Sequence, residues 1–179
     1  MKQLTHHIGG RTHFSLGQSV LSPQEAVNEI GGVSSQAITI SDMNSVNALP
    51  FIYKRAKAIS DLRPDLKLNF GLIVKVVENI EWRKPKKGEK KTQNAFFCPR
   101  IIAKNSEGVS DMMKLLSLAN TEERFYVTPR ISIQDLIEVG IKGNVFITTG
   151  DIDNLFALFN YKASLAKLLK SIKRENLLF

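Results

Sequence analysis

With 179 residues, 43% of them hydrophobic and 23% charged, the chain can bury one substantial core, and no stretch of it approaches the roughly 18 apolar residues of a membrane-spanning helix. A single cysteine, Cys98, excludes an internal disulfide, no Cys/His spacing suits a structural zinc site, and residues 1–10 lack the basic-then-apolar order of a secretion signal. The net charge of +8 and pI near 9.6 favour polyanionic partners, because Lys and Arg release counterions condensed on nucleic acid, and equally suit a solvated basic surface.

The first helix start is at Ser22-Pro23-Gln24-Glu25, where a serine N-cap, a proline at the first helical position and a glutamate two residues later make a capping box. Ala26, Val27 and Ile30 give this helix an apolar stripe, Gly31-Gly32 permit the backbone that ends it, and residues 36–40 then read as a buried strand. Over residues 44–60, Val46, Leu49, Ile52, Ala56 and Ile59 recur at helical spacing, with Pro50 arguing for a later start. After a loop around Pro64, residues 68–77 read as a second strand and 96–103 as a third. A helix over 107–119 follows, with Met112, Met113, Leu115 and Leu116 expected inside. Ser132-Ile133-Gln134-Asp135 opens a short helix ended by Gly140. Residues 144–148 form a further strand whose Thr149-Gly150-Asp151 exit leads into a helix. Leu165, Leu168, Leu169 and Ile172, set against Lys162, Lys167, Lys170, Lys173 and Arg174, make the last helix amphipathic, its apolar side turned to a sheet. Strands too apolar for one wet face, alternating with helices, predict an α/β fold with mainly parallel strands. There is no internal repeat.

Between the second and third strands lies Arg83-Lys84-Pro85-Lys86-Lys87-Gly88-Glu89-Lys90-Lys91, cationic and rich in helix breakers, which predicts a basic exposed loop over 83–94. Beside the sole tryptophan, Trp82, the cations Arg83, Lys84, Lys86, Lys87, Lys90 and Lys91 make this the candidate nucleic-acid-binding segment.

Three motifs resemble those of PHP (polymerase and histidinol phosphatase) domains. The stretch Arg11-Thr12-His13-Phe14-Ser15 running on to Ser22-Pro23 is similar to the first family motif, a His-x-His with small polar residues and a helix start, here with Arg11 in the first histidine place. Ser41-Asp42-Met43 resembles the strand-end Thr-Asp-His with only Asp42 kept, and Gly71-Leu72-Ile73 stands where the family has Gly-x-Glu. Residues 102–108, 113–119 and Phe125-Tyr126-Val127-Thr128-Pro129-Arg130-Ile131-Ser132 resemble segments of the amino-terminal PHP region of bacterial-type DNA polymerase III alpha subunits. The altered first motif and the basic insertion are similar to those of divergent subunits carried by phages and mobile elements.

The resemblance implies an α/β fold of the PHP type, a distorted β/α barrel with surrounding helices. It also implies one PHP-like domain over 1–179, incomplete in that the family's carboxy-terminal strands are not seen, although Leu177-Leu178-Phe179 resembles the opening of the next. It implies phosphoester hydrolysis by a cluster of divalent metals, which lower the pKa of bound water. Of the site positions Arg11, His13, Asp42, Met43 and Ile73, only His13 and Asp42 remain able to hold metal, and the chain has three histidines in all. Arg11 is instead expected to pair with Asp42, and His13 as a core histidine with Asp42 as a helix cap is the plainer alternative.

The leading expectation is therefore a non-catalytic PHP-like module that scaffolds a replicative DNA polymerase or docks its partner subunits, without catalytic residues or cofactor, although full-length relatives are DNA-directed DNA polymerases. One alternative is a metal-dependent PHP phosphoesterase or 3'-5' exonuclease using manganese, zinc or magnesium. Another is a small basic nucleic-acid-binding protein. Expected partners are a polymerase or other replisome subunit, DNA, and a second copy through an exposed sheet edge, with no membrane. The expected location is the cytoplasm of a bacterial or phage-infected cell.

Overall fold

The computed structural model describes residues 6–32, 37–84, 95–150 and 161–178, and the chain divides into two compact units, Met1–Ile73 and Val74–Phe179. The side chain of Ile30, together with Gln36, Lys86, Lys87, Lys90, Lys91 and Asp151, lies outside the described residues. Within these bounds the mixed α/β fold expected from the alternation is found.

In the first unit the order is β1 (His6–Gly10), α1 (Pro23–Gly32), β2 (Ala37–Met43), α2 (Leu49–Ala58) and β3 (Lys67–Ile73). β2 pairs in parallel with both β1 and β3. Residues 38–42 are buried on both faces, as befits a strand between two neighbours under crossover helices. The capping box of α1 forms as written, with Ser22 N donating to Glu25 Oε2 at 2.8 Å and Glu25 N donating to Ser22 Oγ at 3.2 Å. α2 begins at Leu49, five residues after the periodicity does, because Pro50 is tolerated only in a first turn. Ala26, Val27, Ile38, Ile40, Ala48 and Ile52 form the core of this unit. β1 was not expected, for its His-His-Ile-Gly-Gly sequence carries no alternation.

The second unit runs β4 (Lys75–Val77), β5 (Phe96–Phe97), β6 (Arg100–Ala103), α3 (Ser106–Ala119), β7 (Arg130–Ser132), α4 (Ile133–Ile141), β8 (Val145–Thr148), α5 (Tyr161–Ser171), one 3-10 turn (Arg174–Asn176) and β9 (Leu177–Leu178). β4 pairs antiparallel with β5 and parallel with β7, and β8 pairs antiparallel with β6 and parallel with β9. The stretch 96–103 is two strands because Pro99, lacking an N–H, cannot continue a ladder. The run 68–77 likewise breaks at Val74. Met113 corrects the expected core: it is 45% exposed, while Met112, Leu115 and Ala119 share the buried face three and four residues apart. Gly140 does not end its helix. It sits inside α4, where a Cβ would collide with Ile172 Cδ1 and meet Ile147 Cδ1 at 3.0 Å, and the left-handed turn after the helix falls to Gly143 at φ +78°.

Asp111 of α3 ties that helix to the turn between α4 and β8, accepting from Lys142 Nζ at 2.7 Å and Asn144 Nδ2 at 3.2 Å. Burial opposes its ionisation, but the bonds from Lys142 and Asn144 and the lysine's charge prevail and hold its pKa below the ordinary aspartate value. A depressed pKa contributes stability above the unfolded-state value, near 3.9, that is lost as pH falls through the lower folded value. Asp111→Asn should therefore lower the urea midpoint at neutral pH, with the gap from the parent chain closing in more acidic buffer.

Candidate functional site

Because β1, β2 and β3 run the same way, their carboxyl ends share one edge, the edge at which open α/β sheets characteristically bind ligands. Arg11 follows β1 directly, Met43 ends β2, Ile73 ends β3, and the strand register sets Met43 beside Ile73. The candidate positions thus gather at one edge, as their places in the sequence imply.

The loop after β1 folds back over this edge through two tight turns. Ser15 N donates to Thr12 O and Gln18 N to Ser15 O, each at 2.9 Å, Gly17 supplies φ +74° at the bend, and His13 N donates to Leu21 O at 2.7 Å. The result is to press Thr12 and Ser15, both fully buried, onto the carboxylate of Asp42, itself 2% exposed. Asp42 Oδ1 accepts from Thr12 N at 2.7 Å and from Ser15 Oγ at 2.6 Å, and Oδ2 accepts from Thr12 Oγ1 at 2.7 Å. Ser15 Oγ in turn accepts from Met43 N at 3.0 Å, closing the network onto the end of β2.

Both oxygens of Asp42 are therefore held by neutral donors of one loop. Arg11 Nη1 donates to Gln18 Oε1 at 2.5 Å. His13 is exposed and stands edge-on to Phe14, ring centroids 4.7 Å apart. His6, on β1, has Nε2 3.0 Å from Thr39 Oγ1 and 3.1 Å from Asn69 Nδ2. Ser41 Oγ and Asn44 Oδ1 are buried without a hydrogen-bond partner among the described residues, but both are neutral, and strand alternation sends Ser41 to the opposite face from Asp42.

Among the described residues no three His, Cys, Asp or Glu side chains come together as a metal ligand set. At the strand edge itself Met43 and Ile73 offer no oxygen or nitrogen donor, and Arg11 brings a cation. These residues do not fit a divalent metal cluster, which needs several anionic or imidazole ligands. Thr12 and Ser15 were not singled out from the sequence. The small hydroxyls flanking His13 were the available signal, and it points to Asp42 only once β1 and β2 are known to be neighbours.

Of the basic segment, Arg83 and Lys84 are described, both exposed, beside Trp82. No helix among the described residues is long and apolar enough to cross a membrane.

Comparison with known proteins gives three findings. The PHP domain family matches residues 7–179. The DNA polymerase III subunit alpha of Yersinia pestis is 27% identical over 175 residues, which cover 93% of this chain, and the chain spans 14% of that relative's length. A crystal structure from Bifidobacterium adolescentis, of a protein described as a metal-dependent phosphoesterase, superposes with a TM-score of 0.53 at 12% identity, over 97% of this chain and 80% of that one.

Proposed function

The chain belongs to the PHP domain family, and from that premise we propose that it is a non-catalytic PHP-like module of a replicative DNA polymerase, acting by docking polymerase or other replisome subunits. The observation that carries this reading is the engagement of both Asp42 oxygens by Thr12 and Ser15 at the strand edge where the family resemblance implies metal. A carboxylate with both oxygens engaged by buried donors is satisfied without a metal, and the neighbouring Arg11, Met43 and Ile73 supply no anionic or imidazole ligand to complete a cluster. The relation to the polymerase III alpha subunit supplies the replication setting. In such a role the domain contributes a rigid surface, and its hydrogen-bonded loop does the positioning that metal coordination does elsewhere.

The test is elemental analysis of the purified chain after equilibration with manganese and zinc, run beside manganese-dependent hydrolysis of a phosphoester and of single-stranded DNA. Substoichiometric metal and no turnover are expected, with capture of a polymerase or replisome subunit in pull-down. Stoichiometric metal with turnover lost in His13→Ala would establish instead the metal-dependent phosphoesterase reading, the activity by which the Bifidobacterium protein is described. Capture of no replication protein would remove the docking role.

A further inference from the structure

Two loops of the second unit, 78–84 and 120–129, are locked together by Arg83 and by Arg130 at the start of β7. Arg130, 2% exposed, donates Nε to Arg124 O at 2.9 Å, Nη1 to Trp82 O at 3.0 Å and Nη2 to Ile80 O at 2.7 Å. Arg83 Nη1 donates to the same two carbonyls, Ile80 O at 3.0 Å and Trp82 O at 3.1 Å. The two guanidinium carbons lie 5.1 and 5.2 Å from the centroid of the Tyr126 ring, which also takes the edge of Trp82 at 6.0 Å, while the tyrosine hydroxyl accepts from Lys84 N at 2.9 Å.

The partners described for Arg83 and Arg130 are carbonyls and a ring, which orient a cation without neutralising it. Arg124 differs, pairing with Asp135 at 3.0 Å. Burial first, and then repulsion from Arg83, lower the pKa of Arg130. Two like charges are thus fixed side by side over one aromatic ring.

An independent feature marks the tip of the second loop. Val127 has φ +64° and is 80% exposed. A β-branched residue in the left-handed region is strained by about 1–3 kcal/mol. A turn serving only to reverse the chain would carry Gly or Asn at that place. Beside it Phe125 is 44% exposed. Ordinary folding gains nothing from a strained valine and an exposed phenyl ring beside two arginines, and a ligand with flat apolar faces and negative charge would gain from both.

We propose that this cluster of Trp82, Arg83, Lys84, Phe125, Tyr126 and Arg130 is a binding site for single-stranded DNA, with bases stacking on the exposed ring and phosphates drawn to the cations. The strand must be single because a duplex hides its base faces, whereas every unpaired base offers one, which an acidic peptide does only at aromatic side chains. Glu78, Glu81, Glu122 and Glu123 lie on the same loops, though the Glu123 carboxylate is turned back to Thr121 and its own backbone. The attraction is therefore local and strongly screened by salt. The site stands on its own geometry, whether or not the chain docks a polymerase.

Trp82 is the sole tryptophan, so its emission reads the site directly. The full chain, titrated with a short oligothymidylate, should show quenching of Trp82 emission and a rise in the polarisation of a labelled strand. Affinity should fall by an order of magnitude or more between about 50 and 200 mM salt, and about tenfold in Lys84→Glu combined with Phe125→Ala. Those two side chains project from the surface, which spares the fold; adding Arg83→Glu should abolish binding. Absence of binding at low salt overturns the proposal. So does unchanged affinity in the double variant with loss only on neutralising Lys86, Lys87, Lys90 and Lys91, since that places binding outside the cluster. Displacement by polyglutamate or by duplex DNA as effective as by oligothymidylate also overturns it, showing attraction by charge alone.

Discussion

Asp42→Ala should cost the first unit about 3 kcal/mol or more and loosen the loop over residues 11–22. The carboxylate accepts three hydrogen bonds, and every donor, Thr12 N, Thr12 Oγ1 and Ser15 Oγ, belongs to a residue with no exposed surface. Each buried donor left without an acceptor carries a desolvation penalty of about 1–3 kcal/mol, and the bonds lost are of the stronger, charge-assisted kind. Asp42→Asn keeps the shape and one acceptor oxygen, so it should lose roughly half as much. Urea midpoints give the ranking, and hydrogen exchange at the Thr12 amide reports the loop directly. An alanine variant as stable as the parent would remove the structural role assigned to Asp42. Stabilisation of the parent chain by added manganese, absent in the alanine variant, would show a metal ligand in its place.

Gly108→Ala should lower stability by about 2–3 kcal/mol, against the general preference of helices for alanine. Gly108 lies in the first turn of α3, and its N–H donates at 2.8 Å to Oδ1 of the N-cap Asn105. A methyl group there would run into the main-chain carbonyl oxygen of Asn144 and stand 3.2 Å from Ala103 Cα. That carbonyl is already committed, accepting from Lys104 N at 2.9 Å. Moving it breaks a backbone bond, and moving the helix breaks the cap, so neither side yields cheaply. The roughly 1 kcal/mol gained from helix propensity offsets only part of the loss. Thermal or urea unfolding decides the matter: a variant more stable than the parent would mean that the helix start relaxes away from Asn144 at little cost.

What could be read from the sequence was what neighbours in the chain decide among themselves. The capping box of Ser22 with Glu25 forms as written, and the helix start read at Ser132 forms with a second box to Asp135, because cap and partner are three residues apart. Pro50 fixed the start of α2 and Pro99 broke a strand, each through the missing N–H. β1 was not legible, since its strand character comes from pairing with residues some thirty positions away rather than from its own composition. Nor was β7, three residues long and opened by an arginine. For the site, family resemblance found Asp42 and the strand-end positions, whereas the contacts of Thr12 and Ser15 with that carboxylate depend on β1 lying beside β2. Arg130 is a further case: a buried arginine satisfied by three carbonyls leaves no charge pattern to read, because its partners are main chain.

Synthesis from the amino terminus imposes an order on the pairing of β8. Once Ile73 has left the ribosome, β1, β2 and β3 have all their mutual partners, and Asp42 has its donors. β8 pairs with β6 on one side as soon as it emerges, but its other neighbour is Leu177–Leu178, about thirty residues further on. For the few seconds that translation of that stretch takes, a nascent strand with the apolar side chains Val145 and Ile147 presents an open edge, the form most prone to pair with a neighbouring polypeptide.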